Sequence, residues 1–217
     1  MTSLPTRGEI HVHVIPSPAA DQAARRPAGR RALETAVNCY APHALVAFGE
    51  GRRPEIIGER LHVSLARADG LVLVAVATSR EVGVDAEAVR PSPPRAVVAQ
   101  FLTEQELLAL DRAPAGERNV AFARAWVRKE AALKAVGVGL AVEPSLVEVG
   151  IGCVTAALVS VPERGEVTMS DVDVGGGYVA AVAARGAAGF TVRRVEGISA
   201  ATPAARTPAR AVPALHP

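Results

Sequence analysis

Leu61-His-Val-Ser-Leu-Ala-Arg-Ala-Asp69-Gly70-Leu-Val-Leu-Val-Ala-Val-Ala77 is two apolar runs divided by an Asp-Gly pair. Asp-Gly between such runs is a strong hairpin signal, because glycine takes positive φ without a steric penalty and the flanking residues favour a pleated surface. The stretch therefore reads as an antiparallel hairpin. After the polar break Thr78-Ser-Arg-Glu81, Val82 to Asp85 supplies another strand. Strands that follow one another this closely argue for antiparallel sheets and against a doubly wound parallel one, which needs a helix between successive strands.

Working outward from the hairpin, Ile10 to Ile15 alternates and reads as a strand with His11 and His13 on one face. The pair could ligate a metal, but no third ligand lies near in sequence, and a half-exposed strand face is the simpler expectation. Ala19 to Val37 suits a helix interrupted or started near Pro27, with Arg25, Arg26, Arg30 and Arg31 on a basic face. Ala44 to Phe48 reads as a short strand before the turn-rich Gly49-Glu-Gly-Arg-Arg-Pro54. Downstream, Pro91-Ser-Pro-Pro94 is a rigid connector. Thr103 with Glu106 three residues on is a capping-box helix start for Phe101 to Ala113. Asn119 to Val136 is the longest helix candidate, stopped at Gly137 and Gly139. Leu146 to Val149, Ala156 to Val161 and Tyr178 to Ala183 read as strands. From about Gly197 the Ala, Pro, Arg and Thr run has little to bury and is expected to be a disordered tail. The order strand, helix, strands occurs twice. It predicts an α+β fold of two loosely similar halves, residues 1–79 and 80–196, followed by the tail 197–217.

The chain has 217 residues, enough to bury a sizeable core, but only 3% aromatics, so that core must be built from Ala, Val and Leu. A net charge of +2 and the lack of a basic stripe interleaved with aromatics argue against nucleic acid as a partner. Cys39 and Cys153 show no metal or redox spacing and are expected to be buried free thiols. There is no apolar run behind a basic N-terminus, and no uncharged stretch near the ~20 residues that span a bilayer. A soluble, cytoplasmic protein without a membrane partner is the expectation.

Of 24 lysine and arginine residues only Lys129 and Lys134 are lysine, both inside Trp126-Val-Arg-Lys-Glu-Ala-Ala-Leu-Lys134. Lysine offers a compact ammonium where arginine offers a rigid planar fork, so two retained lysines mark a place where a point charge is needed. On a helix Trp126, Glu130 and Lys134 fall on one stripe, with Lys129 at its edge. Glu130 and Lys134 could be an ordinary ion pair worth ~0.3–0.5 kcal/mol, or part of an anion site. In Val82-Gly-Val-Asp85-Ala-Glu87 the two acids share one strand face. They are either solvated acids at a strand end or two ligands for a hard cation such as Mg²⁺. Spacing alone does not show whether the two segments meet.

Taken together, Gly-Val-Asp85-Ala-Glu87 and, about forty residues later, Trp126-x-x-Lys129-Glu130-x-x-x-Lys134 resemble the signature pair of the 4′-phosphopantetheinyl transferases. Phe101-Leu-Thr-Glu-Gln-Glu106, Gly137-Val-Gly-Leu140 and Gly177-Tyr-Val-Ala180 resemble the segments between and after the motifs. Gly51-Arg-Arg-Pro54 and Leu61 to Gly70 resemble the first half of the larger, surfactin-type members, and the likeness runs roughly from residue 8 to 195. The resemblance implies two similar α+β halves related by a pseudo-twofold, with coenzyme A in the cleft between them. It implies transfer of 4′-phosphopantetheine from coenzyme A to a serine of an apo acyl or peptidyl carrier protein, releasing adenosine 3′,5′-bisphosphate. A degenerate homologue that only binds coenzyme A or a carrier is the alternative.

By motif match, Asp85, Glu87 and Glu130 would hold Mg²⁺, with Mn²⁺ an alternative, and Glu130 would be the general base. Lys134 would offset pyrophosphate charge, and Lys129 would assist phosphate binding or orientation. Arg53, together with Arg26, Arg30 and Arg52, would meet the phosphates of coenzyme A. Where the family carries Ser-His this chain has Ala66-Arg67. Arg67 keeps the positive charge with bidentate reach to phosphate, while Ala66 gives up one hydrogen bond. Because one chain would form the whole cleft, a monomer is expected.

Overall fold

The computed structural model describes residues 2–17, 22–49, 53–152 and 157–197. Arg52, Cys153 and the expected tail 198–217 lie outside the described residues. The first half runs β1 (Glu9–Pro16), α1 (Gln22–Asn38), β2 (Leu45–Ala47), β3 (Glu55–Ile57), β4 (His62–Ala68) and β5 (Leu71–Ala77). The second runs β6 (Val82–Ala88), α2 (Arg95–Val98), α3 (Glu104–Arg112), α4 (Arg118–Val136), β7 (Ala157–Val161), β8 (Gly165–Asp171) and β9 (Tyr178–Arg185), and β10 (Thr191–Val195) follows. The class is α+β.

The hairpin forms as read. Ala68 pairs with Leu71 around Asp69-Gly70, and Gly70 has φ +78°. One sheet has the order β10-β1-β5-β4 and another β6-β9-β8-β7, with β2 and β3 as a separate small ribbon. In each half the first strand pairs antiparallel with the last strand of the hairpin that follows the long helix: β1 with β5, and β6 with β9. The repeat of strand, helix and hairpin is thus present in the connectivity. Thr191–Val195, which sequence order would place in the second half, instead pairs parallel with β1 in the first.

Alternation along the strands distributes the small aliphatic core into three layers. Ile10, Val12, Leu73, Ala75, Val82, Val84 and Val182 fill the space between the two sheets. Val72, Val74 and Val76 point the other way, onto Leu33, Ala36 and Val37 of α1. Ala181, Ala183, Val167 and Met169 pack against Ala125, Ala131, Ala132 and Ala135 of α4. Each central strand is therefore buried on both faces, which explains why β5 reads as an unbroken apolar run rather than a clean alternation.

Several local expectations are corrected. His11 and His13 do share a face, but both are fully buried on the α1 side, where each ring bonds the Tyr40 hydroxyl, at 2.9 and 2.7 Å. Burial pushes the His13 imidazole down to about 4. Leu146 to Val149 is not a strand: a 3₁₀ turn over Pro144–Leu146 leads into extended chain that buries Val147 and Val149. The helix Gln22–Asn38 continues through Pro27 and is neither interrupted nor started there. Cys39 is a free thiol but only half-buried.

α4 crosses β6 at backbone contact distance. A Cβ placed on Gly83 would sit 2.0 Å from the Ala131 carbonyl oxygen and 2.5 Å from the Ala135 nitrogen, so helix backbone rests directly on strand backbone. Gly83→Ala is expected to destabilise the chain by about 1–3 kcal/mol or more, because backbone atoms, unlike a flexible side chain, cannot move aside. Chemical denaturation checks it, and an unchanged midpoint would mean that α4 does not lie this close.

Candidate functional site

The backbone contact at Gly83 fixes what stands beside it. Residues two apart on a strand share a face, so Asp85 and Glu87 follow Gly83 on the side of β6 that meets α4. Val84 points into the core between the sheets and leaves its main-chain groups on the strand edge away from β9. Its N–H donates to Ser64 Oγ of the first half (3.0 Å), and its carbonyl accepts from Lys134 Nζ (3.2 Å). The same ammonium lies 2.6 Å from Asp85 Oδ1. Lys134 therefore reaches across to the strand, and Glu130 acts on that group through its charge.

Three carboxyls feel one another here. Burial pushes Asp85 up, against the pull of Lys134. Glu130, half-buried on α4, is raised by burial and by the Asp85 charge, with Lys134 opposing. Glu87 stands at the exposed end of the strand, and its carboxyl is raised by partial burial and then by the Asp85 and Glu130 charges. Three acids with one ammonium among them keep an excess of negative charge, and hard oxygen donors of this kind fit a divalent cation such as Mg²⁺. Among the described residues, however, no three acidic, histidine or cysteine side chains are arranged as a ready-made metal cage.

Lys134 also borders a cleft of about 700 Å³ whose walls carry Arg26, Arg30, Arg53 and Arg67. No acidic side chain among the described residues lines it, so it is a cationic cavity of small-molecule size. α1 supplies Arg26 and Arg30, and the Arg30 guanidinium lies 4.4 Å from the Phe48 ring centroid, a cation–π contact. β4 supplies Arg67, whose stem crosses α1 at Gly29, where a Cβ would come within 2.7 Å of Arg67 Cδ. Arg53 reaches the end of α4. Sequence order thus brings together Arg26, Arg30, Arg53, Arg67 and Lys134 around one cavity, with Asp85, Glu87 and Glu130 grouped beyond Lys134.

Lys129 does not join them. It is fully buried, with Nζ 2.6 Å from Glu106 Oε2 and donating to the carbonyls of Pro144 (3.0 Å) and Val147. The expectation that it assists phosphate binding is corrected: its ammonium is spent inside the second half, tying α4 to α3 and the 3₁₀ turn. Glu106 closes the capping box with Thr103 as read, and its other oxygen accepts from the N–H groups of Val149 and Gly150. Beside it Arg128, also buried, makes a two-pronged pair with Asp171 on β8, at 2.8 and 2.7 Å. Sequence reasoning marks Gly83 as a place of close approach, which the structure bears out, but misses Ser64 and the second role of Glu106. The glycine and the capping box were visible in the chain, but their partners come from other elements.

Residues 81–183 match the family described as the 4′-phosphopantetheinyl transferase superfamily. The match covers a little under half of the chain, from the start of β6 into β9. Among curated proteins the chain is similar to the 4′-phosphopantetheinyl transferase HetI of Nostoc sp. strain PCC 7120, 32% identical over 123 residues that cover 52% of each protein. It is also similar to "Putative 4′-phosphopantetheinyl transferase slr0495" of Synechocystis sp. strain PCC 6803, 28% identical over 112 residues, covering 50% of this chain and 46% of that one. The matches span about half the length of these relatives. The superfamily segment contains Asp85, Glu87, Glu130 and Lys134. The arginine-lined walls of the cleft lie in the half that precedes it.

The burial of Lys129 has a direct consequence. Removing one member of a buried ion pair leaves the other uncompensated, at a cost of about 3–5 kcal/mol. Lys129→Met is expected to lower stability by that order, while the protein that remains folded binds pyrophosphate in the arginine-lined cleft as the parent does. Denaturation and calorimetric titration measure the two effects. A stable variant with weakened pyrophosphate binding would return Lys129 to the cleft.

Proposed function

We propose that this chain transfers the 4′-phosphopantetheine group of coenzyme A to a serine hydroxyl of an apo acyl or peptidyl carrier protein, releasing adenosine 3′,5′-bisphosphate. The observation that carries this reading is the position of Lys134, which joins an arginine-lined cleft to a group of three carboxyls. A bisphosphorylated nucleotide with a pyrophosphate matches such a cleft, and the superfamily segment and both relatives point to the same chemistry. The arrangement follows the larger, two-half class, with both walls of the cleft coming from one chain. That supports a monomer as the working unit.

In this reading Arg26, Arg30, Arg53 and Arg67 bind and orient the coenzyme phosphates. Phosphoryl transfer is catalysed mainly by positioning and by offsetting charge, which suits a rigid cationic cavity. Asp85, Glu87 and Glu130 would hold Mg²⁺, which supplies charge neutralisation at the pyrophosphate. Glu130 takes the proton from the incoming serine Oγ, directly or through a water, as that oxygen bonds to the phosphorus bearing pantetheine. The bond from that phosphorus to the bridging pyrophosphate oxygen breaks, and the pair of electrons leaves on the nucleotide phosphate, beside Lys134. A carboxyl raised by burial from its ordinary value is better matched to this task near neutral pH than an unperturbed one.

Glu130→Gln tests the assignment in two ways. Transfer to an apo carrier is expected to fall by about 10²–10⁴-fold, the usual worth of a positioned general base. Because the Glu130 carboxyl is raised in the folded state, its charge opposes folding above that pKa, and the opposition fades as pH falls through it. The metal-free variant should therefore be at least as stable as the parent at neutral pH, with the difference shrinking toward about pH 4. Unchanged turnover would remove Glu130 from the reaction.

A further inference from the structure

We infer that Arg53 is a positioning residue as well as a phosphate contact: it straps the first half of the chain to the C-terminal end of α4 and so sets the place of Lys134. This inference rests on the function proposed above for its kinetic part only. Arg53 Nη2 donates to the carbonyl oxygens of Lys134 and Ala135, the latter at 2.8 Å. Nη1 lies 3.2 Å from Glu81 Oε1, at the joint between the halves. Glu81 is in turn held by Arg185 at the end of β9, through its other oxygen at 2.8 Å and through its carbonyl at 2.9 Å.

The last carbonyls of a helix have no partner within it and carry its partial negative charge, so a guanidinium there both satisfies donorless oxygens and meets the dipole. In this chain the carbonyl so held belongs to Lys134 itself. The side chain of that residue leaves the same backbone unit to reach Asp85 Oδ1 and Val84 O. Gly83 fixes α4 from below over the single turn Ala131 to Ala135, and Arg53 fixes it at the tip. The chain ends the helix just beyond, at Gly137 in the left-handed conformation.

A guanidinium has five N–H groups. Three are taken by Lys134 O, Ala135 O and Glu81, which leaves Nε and one Nη1 hydrogen for an anion in the cleft that Arg53 lines. One side chain can thus hold the helix tip and a phosphate together. A lysine at this position would keep the charge but could not bridge two carbonyls, a carboxylate and an anion from fixed directions.

The test compares the full chain with Arg53→Ala, Arg53→Lys and Arg67→Ala, first without coenzyme or metal. Amide hydrogen exchange is read at Gly137 and Val138, which donate to the carbonyls of Lys134 and Leu133. Arg53→Ala and Arg53→Lys are both expected to speed exchange there about tenfold, the loss of a charge-assisted hydrogen bond, while Arg67→Ala leaves it unchanged. In transfer assays Arg53→Ala should lower kcat and raise KM for coenzyme A. Arg53→Lys should recover KM but not kcat, and Arg67→Ala should act on KM. Parental exchange at the helix tip in both Arg53 variants overturns the proposal, as does an effect confined to KM. Should Arg53→Ala fail to fold, Arg53→Lys decides by the same exchange reading. If the parent chain transfers nothing, the proposed function fails, and the exchange result still decides the strap.

Discussion

The contact between the backbone of α4 and Gly83 of β6 is the constraint on which the rest of the site depends. A helix and a strand ordinarily keep apart by the depth of their side chains. Here the missing Cβ lets the Ala131 carbonyl and the Ala135 nitrogen settle onto the strand. The row of small residues on α4 and β9, Ala131, Ala135, Ala181 and Ala183, extends the close approach on either side. Only at this separation can Lys134, whose own Cβ would meet a Cβ on Gly83, bring its ammonium onto Asp85 and the edge carbonyl of Val84. The low aromatic content of the chain is thus part of the design: a core of Ala and Val is what allows elements to pack by backbone.

Charge is then sorted by element. β6 and α4 bring acids, α1, β4 and the loop before β3 bring arginines, and Lys134 stands at the border between them. Burial raises all three acids against the pull of Lys134, and the arginines face a cleft that no acid of the described residues lines. A ligand of opposite sign would complement each side of this arrangement. The buried pairs Lys129–Glu106 and Arg128–Asp171 face the other way and hold α4 in place from within its own half.

Much of this was legible in the chain, for reasons specific to each segment. The hairpin was carried by Asp69-Gly70, where turn chemistry is local, and the capping box by Thr103 and Glu106, where both partners lie within one turn. The long helix was bounded by Gly137. What could not be read depended on partners distant in sequence. Lys129 and Lys134 lie in the same short stretch and looked alike as unusual lysines, yet one points into the second half and the other to the cleft. A difference of five positions on a helix turns the side chain far enough to decide between them, and only packing shows which face is covered. His11 and His13 had the right alternation but the wrong exposure, since the sequence does not show that Tyr40 and α1 lie over them. The strands β8 and β10 were missed because Gly165–Asp171 and Thr191–Val195 mix charged and polar residues with few apolar ones and are stabilised by pairing more than by pattern.

The most direct measurement is the intact mass of an apo carrier protein incubated with this chain, coenzyme A and Mg²⁺, beside a control containing EDTA. The account predicts a gain of one phosphopantetheine on the carrier that EDTA abolishes. A carrier that stays in its apo form across acyl and peptidyl types, while calorimetry shows coenzyme A bound in the cleft, would contradict it and leave a coenzyme-binding protein without transfer.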